Sequence, residues 1–217
     1  MGDNREIAGF GARLTHIAAG GHRVALWQVD DLERYVDRHA LLAAVDTPEP
    51  PYWAHLWSGA RVLADAVPRG RVRAVEFGCG LGLPGLVAAL HGARVTFVDR
   101  AAAALAFVRA SAAANGVAID TVAADVTSGA VRRTFDLVLL AEVLYDRTAF
   151  PPVARAIADH LAPGGLALLA DGSRIDTRAF YPELGALGLH VRTTRHQVVE
   201  EGVPETIALS AITWSAR

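Results

Sequence analysis

The stretch "AVEFGCGLGLPGLVAALHGARVTFVDR", residues 74–100, limits the possible folds more than any other part of this chain. An apolar run enters a turn carrying three alternating glycines, a helical segment follows, and a second apolar run ends on Asp99. Unbroken apolar runs of this length mark strands of a parallel sheet covered on both faces. A strand, a glycine turn, a helix and a second strand open a doubly wound α/β fold, whose ligands bind at the carboxyl edge of the sheet. Glycine suits such a turn because the missing Cβ lets a ligand approach the backbone. The turn can be spelled in two ways. Gly80, Gly82 and Gly85 read G-x-G-x-x-G, a dinucleotide fingerprint, whereas Glu76, Gly78, Gly80 and Gly82 read E-x-G-x-G-x-G.

The alternation of strand and helix continues downstream. "RVRAVEFGC" is the first strand of the sheet, "LPGLVAALHG" a helix with Pro84 near its first turn, and "RVTFVD" the second strand. "AAAALAFVRASAAANG" predicts a helix closed by Asn115-Gly116. "IDTVAAD" and "FDLVLLAEV" are the third and fourth strands, "FPPVARAIADHLAPGG" a helix running to Pro163-Gly164-Gly165, "GLALLAD" a fifth strand and "TRAFYPELGALG" a further helix. "HVRTTRHQVVEEGVPETIALSAITW" has no room for a crossover helix and reads as an antiparallel hairpin. Upstream, "HRVALWQVDDLERYVDR" reads as a strand and then a helix, and "DTPEPPYWAHLWSGARVLADAV" as a proline-rich loop entering a helix. The expected fold is a Rossmann-like, doubly wound α/β sheet, mostly parallel with a C-terminal antiparallel hairpin. No repeat or low-complexity linker divides it. Residues 1–217 are read as one domain, 1–70 being an N-terminal extension and 71–217 the ligand-binding core.

Composition narrows the function. A chain of 217 residues, 52% hydrophobic and 20% charged, suits one ordered α/β domain. A formal charge of −2, without a basic stretch interleaved with aromatics, argues against a nucleic-acid partner. All 21 basic residues are arginine, which excludes a Schiff-base or P-loop lysine and reads as a GC-rich bacterial coding habit. The single Cys79 points to a reducing, cytoplasmic setting. The first twenty residues lack the apolar core of a signal peptide, and no apolar run is long enough to span a membrane. The eight histidines show no ligand spacing, so no metal is expected.

Charge separates the two spellings of the turn. In a dinucleotide site the helix N-terminus faces a pyrophosphate, which an acid two residues before the first glycine would repel. Glu76 stands at that position. S-adenosylmethionine instead presents an amino group and a sulfonium, which a carboxylate attracts. Asp99, ending the second strand, can take both ribose hydroxyls, and Asp125, ending the third, the exocyclic amine of adenine. Three acids at three strand ends suit a cation better than a diphosphate.

From Glu76 through Asp99 and Asp125 to "LLAEVLYD", the chain resembles the class I, seven-β-strand S-adenosylmethionine-dependent methyltransferases. Within them it resembles the protein lysine methyltransferase family that includes the electron transfer flavoprotein β-subunit lysine methyltransferase. "PPYWAHLWSGARVLADAV" is similar to that family's tryptophan-bearing segment, and "AEVLYD" to its signature of an acid followed three residues later by tyrosine. The family usually has Trp-Pro where this chain has Trp57-Ser58, and often aspartate where it has Glu142. The resemblance implies N-methylation of a protein lysine side chain, with a protein partner and neither nucleic acid nor membrane. It implies Trp57, Glu76, Gly78, Gly80, Asp99, Asp125, Val126 and Ala141 around the cofactor, and Glu142 and Tyr145 as catalytic residues facing the substrate.

Other readings stay open on the residues themselves. The acceptor can be a small nicotinamide-like heterocycle, and the chain can equally be an NAD-dependent oxidoreductase or a non-catalytic S-adenosylmethionine-binding subunit. Asp99 can cap the helix that starts near Ala101, and Asp125 can be a turn residue before Thr127. Trp53 and Trp57 can be core anchors, Cys79 a small filler and Asp136 structural, while Glu200 and Glu201 read as solvated acids at the hairpin tip, with the reception of a basic substrate as their alternative. Glu142 is the sharpest case, because a carboxylate at the end of the most apolar strand is costly to desolvate without a partner.

Overall fold

Side-chain alternation along the central strands sets up two apolar layers. In β4 (Arg73–Phe77), Ala74 joins one layer while Val75 and Phe77 join the other. In β7 (Phe135–Ala141), Leu137 and Leu139 enter the first layer, and Val138 and Leu140 the second. With both faces covered, neither strand has a polar side to show in the sequence. These observations come from a computed structural model, which describes residues 4–35, 51–172, 175–200 and 202–215.

The main sheet has seven strands in the order β6-β5-β4-β7-β8-β10-β9. Besides β4 and β7 it contains β5 (Arg94–Asp99), β6 (Asp120–Ala123), β8 (Leu161–Asp171), β9 (Leu189–Glu200) and β10 (Val203–Trp214). The pairs from β6 across to β8 are parallel, and β10 runs antiparallel between β8 and β9. Helices α1 (Ser58–Ala66), α2 (Leu83–Leu90) and α3 (Ala102–Ala114) supply Leu63, Leu86 and Phe107 to the first layer. Helices α4 (Phe150–His160) and α5 (Phe180–Ala186) supply Ile157 and Leu184 to the second. The chain moves outward from β4 through β5 to β6, then crosses back to lay β7 on the other side of β4. The carboxyl ends of β4 and β7 therefore flank the switch point at which folds of this kind open a crevice.

Three expectations need correction. The helix predicted to reach residues 163–165 ends at His160, because Leu161 is already buried against the sheet and paired with Phe135. A register shift between Phe135 and Leu137 then absorbs the turn at Gly164. The N-terminal extension holds β1 (Asn4–Ile7), β2 (Phe10–Ala19) and β3 (His22–Val29) as an antiparallel meander, where only the third strand was expected. The helix predicted after β3 is a single 3₁₀ turn at Leu32–Tyr35, and residues 36–38 of that prediction lie outside the described residues. The meander is fastened to α3, where Ser111 Oγ accepts the Trp27 amide and Asn115 Oδ1 the Ala25 amide, each at 2.9 Å. No described helix is long and apolar enough to cross a membrane.

Candidate active site

The turn after β4 demands glycine by its backbone. Gly80 has φ +50°, and a Cβ there would lie 2.9 Å from the Trp53 carbonyl oxygen. Gly82 has φ +73°, and its Cβ would press on Phe97 and Val108 at 2.9 Å. Only glycine adopts such angles without strain. Gly85, the third glycine of the dinucleotide spelling, is an ordinary helical residue packed against the Phe97 ring.

The acids predicted at the strand ends each accept at least one backbone amide. Asp99 Oδ2 accepts the Gly80 amide and Oδ1 the Ala101 amide, both at 2.8 Å, so one carboxylate ties the glycine turn to the entry of α3. Burial pushes its pKa above the ordinary value, against the pull of those two amides. Glu76 is 1% exposed, and its Oε2 accepts the Gly85 amide at 2.8 Å. Burial raises its pKa to about 8, a rise opposed by the Gly85 amide and assisted by the charge on Asp99. Asp125 is exposed and takes both the Thr127 amide and hydroxyl on Oδ1, at 2.8 and 2.6 Å, which hold its pKa low. It thus forms the turn that was its alternative reading, while also facing the cavity.

A cavity of about 660 Å³ is lined by all ten residues singled out from the sequence: Trp57, Glu76, Gly78, Gly80, Asp99, Asp125, Val126, Ala141, Glu142 and Tyr145. Glu142, just beyond β7, has φ +56°, a left-handed conformation costing a residue other than glycine on the order of 1 kcal/mol or more. Its amide donates to the Ala170 carbonyl at 2.9 Å, and its Oε2 accepts the Gly172 amide at 3.2 Å. These bonds keep an 8% exposed carboxylate at the cavity wall. Tyr145 is 58% exposed beside it. Trp57 donates its indole N–H to the Tyr52 carbonyl at 3.2 Å, whereas Trp53 packs between the rings of Phe10 and Phe107. Asp136 accepts the Arg73 amide at 2.9 Å, away from the cavity.

Sequence reasoning missed a second group of polar residues. Glu200, read as a solvated acid, is half-buried. Its Oε1 lies 3.1 Å from His55 Nε2, and its Oε2 accepts the Ser58 hydroxyl at 2.8 Å. Glu205 on β10 is hydrogen-bonded to Glu200, and burial together with the charges of Glu142 and Glu200 raises its pKa. Glu205 and Glu142 both approach Gly172, where a Cβ would strike Glu205 Oε1 and meet the Glu142 carboxylate at ordinary contact distance. Glu201 lies outside the described residues.

Comparison with known proteins bears on this arrangement. Residues 74–165 match a family model described as a methyltransferase domain. The structure is similar to the T. thermophilus 16S rRNA N2 G1207 methyltransferase, with TM-score 0.65 and 17% identity over 96% of this chain and 51% of that one. It is also similar to the N-methyltransferase NodS of Bradyrhizobium japonicum WM9, with TM-score 0.57 and 22% identity over 68% of this chain and 88% of that one. The chain shares the fold of these solved methyltransferases. In sequence, the chain is 34% identical over 130 residues to the protein N-lysine methyltransferase METTL21A of Mus musculus. It is 33% identical over 129 residues to that of Danio rerio. Each match covers 54% of this chain, and they span 59% and 58% of those relatives. The glycine cradle fits S-adenosylmethionine on its own geometry: Gly80 leaves room where a Cβ would fill the turn, and carboxylates border the space.

Proposed function

We propose that the chain is an S-adenosylmethionine-dependent N-methyltransferase whose acceptor is a protein lysine side chain. The observation that carries this reading is a single cavity joining the acid-bordered glycine turn to Glu142 and Tyr145. In it Asp99 takes the ribose hydroxyls, Asp125 the adenine amine and Glu76 the amino end. Gly78, Gly80, Val126, Ala141 and Trp57 form the walls. When bound, S-adenosylmethionine supplies a methyl group on an electron-poor sulfonium. The protein's part is mostly alignment, which can be worth a large share of a barrier. Glu142 orients the incoming nitrogen, and the Tyr145 ring packs on the aliphatic stem behind it. A carboxylate-rich mouth favours a cationic side chain, in keeping with the lysine methyltransferase relatives. We read the chain as one bacterial, cytoplasmic domain, its lone Cys79 being buried in the turn.

Incubating cell lysate with the protein and isotope-labelled S-adenosylmethionine, then locating the label by mass spectrometry, tests this function. Label on lysine of one or a few proteins is the expected outcome. Label confined to small heterocyclic amines would transfer the activity to the small-molecule reading. Calorimetry tests the cofactor: micromolar S-adenosylhomocysteine binding, about 8 kcal/mol, is expected. Saturable NAD binding with none for S-adenosylhomocysteine would overturn it.

A further inference from the structure

We infer that His55 is a further catalytic residue of this site: a general base, held by Glu200 and Ser58, that takes the proton from the incoming ammonium. This rests on the lysine methyltransferase reading above. His55 follows the short turn Tyr52–Ala54 and lines the same cavity as Trp57, Glu142 and Tyr145. About a third of its side chain is exposed, so it is open to a substrate without being loose. Its ring meets that of Trp57 edge-on, with centroids 4.4 Å apart.

The partners of the ring determine what it can do. Glu200 Oε1 lies 3.1 Å from His55 Nε2, and the Ser58 hydroxyl donates to the other carboxylate oxygen at 2.8 Å. Burial works against the Glu200 charge, but Ser58 and His55 outweigh it and hold its pKa below the ordinary value. An ionised carboxylate only accepts hydrogen bonds, so Nε2 carries the ring proton and Nδ1 keeps a lone pair. This is the logic by which a buried acid fixes a catalytic imidazole in one tautomer. Glu142 is less suited to the task, because its carboxylate already accepts the Gly172 amide and shares that corner with Glu205. The ionisable groups gathered here are Glu200 of β9, Glu205 of β10, Glu142 after β7 and Tyr145.

In the step assigned to His55, the Nδ1 lone pair takes one proton from the lysine ammonium. The N–H bond breaks and leaves its electron pair on the amine nitrogen. That pair forms the new N–C bond to the donated methyl while the C–S bond breaks, its electrons passing to sulfur and converting sulfonium to thioether. His55 afterwards returns its proton to water. Atoms and charges balance without any further reactant.

The test combines ring NMR with kinetics on the full chain. In the ligand-free protein, ¹⁵N shifts of His55 are expected to show the Nε2–H tautomer, and Glu200→Gln is expected to erase that preference. With a lysine peptide, His55→Gln is expected to lower kcat by about 10²-fold and to move the acidic limb of the pH–rate profile. Its affinity for S-adenosylhomocysteine should stay within twofold of the parent, which also shows that it folds. Glu200→Gln should lose less, about tenfold, since the ring remains. An Nδ1–H tautomer, or a His55→Gln variant with parental kcat and pH profile, would overturn the inference alone. A parental protein that binds S-adenosylhomocysteine yet methylates no lysine would overturn the acceptor reading and this role with it.

Discussion

The carboxylate of Glu142 lies directly over Gly59, the second residue of α1, so closely that a methyl group at residue 59 would overlap Oε1. The start of one helix thus leaves room for the acid that follows β7. Gly59→Ala should fold well, since alanine gains up to about 1 kcal/mol over glycine in a helix and the displaced atoms end a flexible side chain. Its expected defect is in chemistry. Methyl transfer should fall by about tenfold, with the melting temperature and S-adenosylhomocysteine affinity near parental values. Parental turnover would show that the placement of Glu142 is unimportant.

Replacing the acid itself separates catalysis from binding. Glu142→Gln should keep cofactor affinity and reduce turnover by about 10²-fold, as losses of positioning or proton-transfer groups do. Tyr145→Phe should cost less if the ring does the packing, and as much if the hydroxyl holds the substrate. Steady-state kinetics beside calorimetry reads both. A Glu142→Gln protein that turns over normally but melts early would make the acid structural.

Asp99 accepts two backbone amides, so its loss should be felt twice. Asp99→Ala should weaken cofactor binding by at least tenfold, at roughly 1.5–3 kcal/mol for each charged bond to ribose. It should also lower the melting temperature, because the amides of Gly80 and Ala101 lose their acceptor. A drop in melting temperature with unchanged affinity would reduce Asp99 to a helix-entry fastener.

The Glu76 carboxyl predicts a pH dependence. Its folded pKa of about 8 stands above the ordinary 4.5, so the folded ligand-free protein holds this proton more tightly than the unfolded chain. The resulting stabilisation is complete below about pH 4.5 and is lost as pH rises through 8, at about 1.4 kcal/mol per pH unit. Asp99 shifts in the same direction, so the comparison must isolate Glu76. Urea midpoints at pH 5.5 and 8 should fall more steeply for the parent than for Glu76→Gln. Equal slopes would mean that burial does not hold the Glu76 proton.

The central sheet was legible because strands covered on both faces must be apolar throughout, as Leu137–Leu140 are, and because glycine turns punctuate them. β1 and β2 were not, since half-exposed strands of mixed composition such as "FGARLTHIAA" carry little signal, although Gly20-Gly21 is a fair hairpin mark. The end of α4 was misplaced because His160-Leu161-Ala162 suits a helix locally, and only pairing with Phe135 decides otherwise. The glycine-turn side of the cavity sits on strand ends that short motifs can mark. The contact of His55 with Glu200 joins residues 145 apart, and no local spacing encodes it.

The place of β10 in the sheet has a consequence for how the molecule comes into being. This strand fills the slot between β8 and β9, both of which precede it along the chain. While the polypeptide is being made, β8 waits with an open edge of hydrogen-bonding groups until Val203 and the residues after it arrive. The side-chain carboxylates of Asp99 and Glu76, by contrast, take amides that lie close by in the chain, at Gly80, Ala101 and Gly85. A chain cut ahead of Val203 would lose Glu205 and the strand that anchors Glu200, and it would strip Ile207 from one apolar layer and Ile212 from the other.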